Sequence, residues 1–195
     1  ITTVIGGAAR APLQGPKGVA VDGSGNLYIA DTGNNRIVRL APGASEAEVV
    51  LTNLASPAGI AMAPSGVLFV ADTGHHVILR VSSAGAAIVA GTGLSGFGGD
   101  GAVGTSDRAR LYLPTDVAVT RTGEVYFADS GNYRIRRASP NSTGDYYLST
   151  VAGGGTGTDR FLTEQATKAW LSPTGVTVSG DTVWAADRTY HKIHR

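Results

Sequence analysis

The stretch PKGVAVDGSGNLYIADTGNNRIVRL, residues 16–40, recurs three more times along the chain. The other copies are PAGIAMAPSGVLFVADTGHHVILRV from Pro57, PTDVAVTRTGEVYFADSGNYRIRRA from Pro114 and PTGVTVSGDTVWAADRTYHKIHR from Pro173. Proline and the motif aspartate are 15 residues apart in the first three copies (Pro16 to Asp31, Pro57 to Asp72, Pro114 to Asp129) and 14 in the last (Pro173 to Asp187). A fixed internal period of this kind marks a repeat architecture and takes precedence over any residue-level inference. Within each copy, short runs of Val, Ile, Tyr, Phe and Ala are bracketed by Gly, Asp, Ser and Asn, which is the pattern of strands between tight turns. In the first copy this predicts strands at 18–21, 26–30 and 36–40, with a turn at 22–25 and the DTGNN turn between the last two. A fourth strand is predicted at 48–52, with counterparts at 87–90 and 146–152.

A single four-stranded sheet cannot bury both faces, so the copies must stack, and radial stacking gives a propeller. The small residues Gly18, Ala20, Gly59, Ala61, Ala118 and Gly175 suit a crowded innermost strand, and the bulky Tyr28, Phe69, Tyr126 and Trp184 are expected to pack between blades. The motif ADTGNNRI, with its variants ADTGHHVI, ADSGNYRI and ADRTYHKI, resembles the NHL repeat. That resemblance implies an all-β propeller domain over 1–195 with four visible four-stranded antiparallel blades. Four blades either close the ring or form part of a larger, typically six-bladed one. Functionally it implies a wide range: adhesion-receptor modules, RNA-binding propellers, sensor domains of bacterial receptor kinases and a peptide-amidating lyase.

Ile1–Ile5 reads as a lone strand and the chain stops after the third strand of copy four, so the two ends could together complete the last blade. A chain without a starting Met also fits part of a longer protein, the expectation favoured here. Spacing between motif aspartates is 41 residues from Asp31 to Asp72 but 57 and 58 for the next two intervals. Two glycine-rich inserts, GTGLSGFGGDGAVGTSDRARLYL from Gly91 and GGGTGTDRFLTEQATKAWLS from Gly153, account for the difference. They resemble the longer inter-blade connections of bacterial and teneurin-like NHL proteins, and the first is expected to be a flexible loop. Binding usually resides on such loops.

A net charge of +1 supplies no global field for nucleic acid or an acidic membrane. No apolar run is long enough to span a bilayer, so no membrane insertion is expected. With no cysteine there is neither a disulfide framework nor a thiolate metal site. The sequon at Asn141 would accept a glycan in a secreted protein.

One aspartate per blade (Asp31, Asp72, Asp129, Asp187) points to turn architecture rather than catalysis, with each carboxylate expected to accept from amides two or three residues on. Asn34, Asn35 and Asn132 are expected to tolerate left-handed geometry. His75, His76, His191 and His194 are the candidate nitrogen ligands, but they stand in variable turns, and no metal site or cofactor is expected. The glycine-rich GTGLSGFGGDGA lacks the Lys-Ser/Thr of a phosphate loop and the carboxylates of a calcium loop. Arg134, Arg136 and Arg137, with Arg108, Arg110 and Arg121 nearby, form the strongest hint of a polyanion site, while Arg36, Arg39 and Arg80 are expected at solvated edges. No catalytic constellation is visible. The function expected is non-catalytic recognition of a protein or glycan, within a larger secreted or cell-surface protein. The candidate contacts are Phe97, Asp100, Arg108 and Arg110 in the first insert and Arg160, Phe161 and Trp170 in the second. The alternatives are a lyase or hydrolase with an axial metal, a single-stranded RNA-binding propeller, and a cytoplasmic location.

Overall fold

The structure is a computed structural model that describes residues 12–155 and 166–195. The expected strand at 1–5 and the candidates Arg160 and Phe161 lie outside the described residues.

Alternating apolar residues and glycine turns give each copy a meander. Blade 1 comprises β1 (Val19–Val21), β2 (Leu27–Asp31), β3 (Arg36–Leu40) and β4 (Glu48–Leu51). Blade 2 comprises β5 (Pro57–Met62), β6 (Leu68–Asp72), β7 (Val77–Ser82) and β8 (Gly85–Ala90). Blade 3 has β9 (Pro114–Val119), β10 (Val125–Asp129), β11 (Arg134–Pro140) and β12 (Tyr146–Gly153). Blade 4 has β13 (Pro173–Ser179), β14 (Thr182–Asp187) and β15 (Lys192–His194), three strands among the described residues. In every sheet consecutive strands are antiparallel neighbours. The first hairpin turns with Gly25, Gly66 and Gly123 at φ between 81° and 87°, a left-handed conformation that glycine adopts without strain.

Register assigns each face its task. Val19, Ile29, Val38 and Val49 are cross-strand partners on one face of blade 1, and Ala20, Tyr28, Arg39 and Glu48 on the other. The second face packs on Ile60, Leu68, Val70 and Leu79 of blade 2. The pattern repeats: Phe69, Ala71 and Ile78 meet Val117, Val125 and Phe127 of blade 3, and Ala118, Tyr126 and Ile135 meet Val176 and Ala185 of blade 4. Four blades around an axis thus enclose three cores among the described residues, each large side chain adding about 1.5–3 kcal/mol by burial. The inner strands are crowded, as the small residues predicted. A Cβ on Gly18 would collide with the Ala58 carbonyl of the next blade. The expected inter-blade role holds for Phe69 and Tyr126, which are buried, and for half-buried Tyr28. Trp184 departs from it: on the far face of blade 4 it is 37% exposed beneath the Arg195 guanidinium.

The first insert is not a free loop. Its residues 100–104 lie along β12, bridging Asp100 to Leu148 and Val103 to Tyr147, and the Gly101 and Gly104 amides donate to the Leu148 and Tyr146 carbonyls (2.8 and 2.6 Å). It covers the outer edge of blade 3, which would otherwise present unpaired backbone.

Candidate binding face

The ADTG motif is a clamp. Asp31, Asp72 and Asp129 do not accept from backbone amides two or three residues on, as the sequence suggested. They accept from the amides of Gln14, Ala55 and Tyr112, each 17 residues upstream in the chain leading into the same blade (2.7, 2.7 and 2.8 Å). The motif glycine returns the favour: Gly33, Gly74 and Gly131 donate to the carbonyls of those same three residues. Both backbone groups of one residue are therefore satisfied by one turn. A side chain at the glycine would press into that residue, 2.9 Å from the Ala55 carbonyl oxygen at Gly74. Of the four, only Asp187, in the copy with the deletion, accepts from the backbone of its own turn, the Thr189 and Tyr190 amides, and it keeps a longer bond of 3.4 Å from the upstream Ser172 amide.

The residue after the aspartate joins blades. Thr32, Thr73 and Ser130 hydroxyls donate to the carbonyls of Pro57, Pro114 and Pro173, the prolines that open the next blade (2.7, 2.7 and 2.6 Å). Asn35 Oδ1 and His76 Nδ1 accept from the residues just before the next proline, Ser56 and Leu113. The left-handed position of the turn falls on Asn35, His76, Tyr133 and His191 (φ 53° to 58°). Asn34 and Asn132, expected there too, instead donate side-chain amides to Asp31 and Asp129.

The buried carboxylate is constant across the blades, whereas the basic group answering it moves. Arg36 Nε meets Asp31 at 2.7 Å, so Arg36 is not a solvated edge residue. His75 Nδ1 meets Asp72 at 2.8 Å, and His194 Nε2 lies 3.3 Å from Asp187. Asp129 is answered by Arg136 at 3.5 Å. Burial pulls the Asp31 carboxyl upward, but donations from Gln14, Asn34 and Arg36 outweigh it and hold the group below 3.8. Burial dominates at Asp129 and pushes it up to about 6, against the pull of the Tyr112 amide, Asn132 and Arg136.

Arg136 also overturns the polyanion site. Its guanidinium is fully buried, donating to the Arg110 and Gly98 carbonyls and to Asp100 Oδ1 (3.0, 2.7 and 2.7 Å). Asp100 is held by it and by the Thr150 hydroxyl (2.6 Å), which makes this predicted contact an internal strut. Arg134 lies 3.9 Å from the centroid of the Phe97 ring and Arg137 lies beside Glu124. Arg108 and Arg110 are exposed. Asn141 Oδ1 accepts from the Thr143 and Asp145 amides and so braces its own turn.

The turns between second and third strands and the connections into the next blade meet at one end of the molecule. That end carries the aromatic residues at positions where the copies differ. Tyr133 stacks on Trp170 (6.0 Å, 29°), Trp170 meets Tyr190 edge to face (5.7 Å, 70°), and His76 meets Tyr112 (5.6 Å, 67°). Phe97 and Tyr133 are each 47% exposed and Tyr112 is 41% exposed. Of the expected contacts, Phe97 and Trp170 belong to this face. Tyr112 and Tyr133 were missed, although each replaces a smaller or polar residue in a repeat position. His75 and His76 stand in blade 2 and His194 in blade 4, each with a different partner, and the described residues contain no cluster of three metal-ligating side chains.

One more residue was missed. The second position after the opening proline is Gly18, Gly59 and Gly175 in three copies and Asp116 in the third. Half-buried Asp116 accepts from the Val117 and Val176 amides (2.9 and 2.8 Å), and burial raises its carboxyl against those two bonds. It lines a cavity of about 330 Å³ where the inner strands of all four blades converge.

Four antiparallel blades around a shared axis define a β-propeller. A family model for the NHL repeat matches residues 13–40 and 54–80, and with the four-blade arrangement these matches support an NHL-repeat β-propeller. No curated protein matches the sequence. Among solved structures, an auxiliary nutrient binding protein from Bacteroides ovatus is similar at a TM-score of 0.71 and 22% identity, over 94% of this chain and 48% of that one. Another auxiliary nutrient binding protein, from Bacteroides thetaiotaomicron, is similar at 0.69 and 21%, over 90% and 46%. Virginiamycin B lyase from Staphylococcus aureus is similar at 0.63 and 14%, over 95% and 52%. The likeness is one of fold, and the chain spans about half the length of these structures. No helix among the described residues is long and apolar enough to cross a membrane.

Proposed function

We propose that this propeller is a non-catalytic recognition module that binds a protein or glycan through its turn face, as part of a larger secreted or cell-surface protein. The observation that carries this is the Tyr133, Trp170 and Tyr190 stack, which bridges the turns of blades 3 and 4 and leaves Tyr133 nearly half exposed. Flat aromatic faces held rigid by their neighbours supply contact area at small entropic cost, the property of interface anchors. Phe97, with Arg134 on its other side, extends the same surface. Two solved propellers of similar fold are described as nutrient binding proteins, which agrees with a binding role. The commitment of Arg136 to interior partners counts against RNA.

The test is a screen of the immobilised chain against glycans and secreted proteins, repeated with a Tyr133→Ala, Trp170→Ala double variant. A specific ligand is expected whose binding falls at least about tenfold in the variant, the loss of one or two anchors. A ligand bound equally well by the variant would move the site elsewhere. Secretion from a eukaryotic host with an endoglycosidase-sensitive mass shift, abolished by Asn141→Gln, is the matching test of location and of the sequon.

A further inference from the structure

The buried aspartates of the four turns each face a basic group on their own blade. Asp116 does not. Its described partners are two backbone amides, and the space beside it is a cavity lined by Lys17, Gly18, Ala58, Gly59, Thr73, Thr115, Asp116 and Thr174. Gly59 makes that position possible, because a Cβ there would collide with Asp116 Oδ1. A carboxylate withdrawn from water without a cation is costly unless something else supplies the charge.

The hydroxyls of the wall indicate what can. Thr73 has spent its proton on the Pro114 carbonyl (2.7 Å). Ser130 gives its proton to the Pro173 carbonyl (2.6 Å), and Thr115 spends its own on Ser130 (2.5 Å) or on the Thr174 carbonyl (3.2 Å). Each hydroxyl carries one proton, and with it used these oxygens can only accept. Asp116, Thr73 and Thr115 together form a wall of acceptors, and Lys17 is an exposed side chain at its rim.

We propose that the cavity at the propeller axis binds a small organic ammonium ion, its N–H groups donated to Asp116 and to the Thr73 and Thr115 hydroxyls. The ammonium supplies at Asp116 the basic partner that the other four aspartates find within their blades. This site is separate from the turn face and does not depend on the function proposed for it.

Isotope-labelled full chain is titrated with butylammonium, tetramethylammonium and 1-butanol while the Val117 and Val176 amide resonances are followed. Saturable shifts with butylammonium, weaker ones with tetramethylammonium, which has charge but no N–H, and none with 1-butanol are expected. Asp116→Asn keeps an acceptor oxygen for the Val176 amide and removes the charge; it should weaken butylammonium at least about tenfold, as for loss of a charge-assisted hydrogen bond. Tyr133→Ala should leave the titration unchanged, which separates this site from the turn face. Equal response to 1-butanol, tetramethylammonium as strong as butylammonium, or unaltered affinity in Asp116→Asn would each overturn the proposal. Because the ligand series is read on the unmodified protein, the outcome stands even if the variant fails to fold.

Discussion

The flanks of blades 2 and 3 are built on the same register and finished in opposite ways. On blade 2, Val77, Leu79 and Ile88 line an open groove of about 350 Å³ together with Leu51 and Leu54. The matching positions on blade 3 are Arg134, Arg136 and Thr150, since Leu79 pairs with Ile88 as Arg136 pairs with Thr150. There the groove is filled: Phe97 lies against both arginines and Asp100 binds Arg136 and Thr150. Connection length separates the two. Only a short segment, 52–56, leads into blade 2, whereas residues 91–113 lead into blade 3 and fold back along β12. Where a loop lands, the strand beneath it is polar and Arg136 is bonded to the loop through both terminal nitrogens; where none lands, it is aliphatic.

The strongest challenge to that contrast is Arg136→Leu, which gives blade 3 the flank of blade 2. It strands Asp129, Asp100 and the Gly98 carbonyl, and a loss of about 3–5 kcal/mol is expected in urea unfolding. A loss below about 1 kcal/mol would mean that the insert packs without its arginine. Next comes the response to pH. Folded Asp129, raised to about 6, holds its proton more tightly than the unfolded group at 3.8. Stability should therefore fall as pH rises from about 4 to about 6, by up to roughly 3 kcal/mol, and level off above. The slope should be reduced in Asp129→Asn to what Asp116, whose carboxyl burial also raises, contributes in the same sense. Asp31, held below 3.8, contributes in the opposite sense, with stability lost only as pH drops through its lower folded value. The converse graft, Leu79→Arg, places a guanidinium where no Gly98 or Asp100 awaits it, and a cost of about 2 kcal/mol is expected. Phe97→Ala removes the ring from the two arginines while leaving Asp100 in place, for about 1 kcal/mol by thermal melting.

These contrasts also show what a sequence can disclose. The blades were legible because turn glycines and alternating strands are local, and the proline-to-aspartate spacing repeats them. The clamp was only half legible: Asp31 was read as a turn residue, but its partner Gln14 sits 17 positions away on a connection with no pattern of its own. Arg134 and Arg136 looked like a surface cluster because Asp100 and Gly98, which neutralise and satisfy Arg136, come nearly forty residues earlier. Asp116 had a visible signal, an acid in a glycine column, yet inside a strand it passed for an ordinary polar residue. Trp184 was assigned to a packed seam from its column alone; whether a bulky residue is covered depends on a neighbouring blade, which a column does not record.

The hydroxyls that join blades belong to one copy and their proline acceptors to the next. A seam therefore has a direction, and the unit that can be moved without breaking one is not the sheet as drawn. Excising or duplicating the chain from one opening proline to the next keeps hydroxyl and acceptor in phase at every junction. Blade 4 interrupts the series, with Arg188 where the others carry Thr or Ser. In recombination terms, a copy of blade 2 or 3 carries its own donor for the proline that follows it, while a copy of blade 4 set in the middle would leave the following proline carbonyl without one.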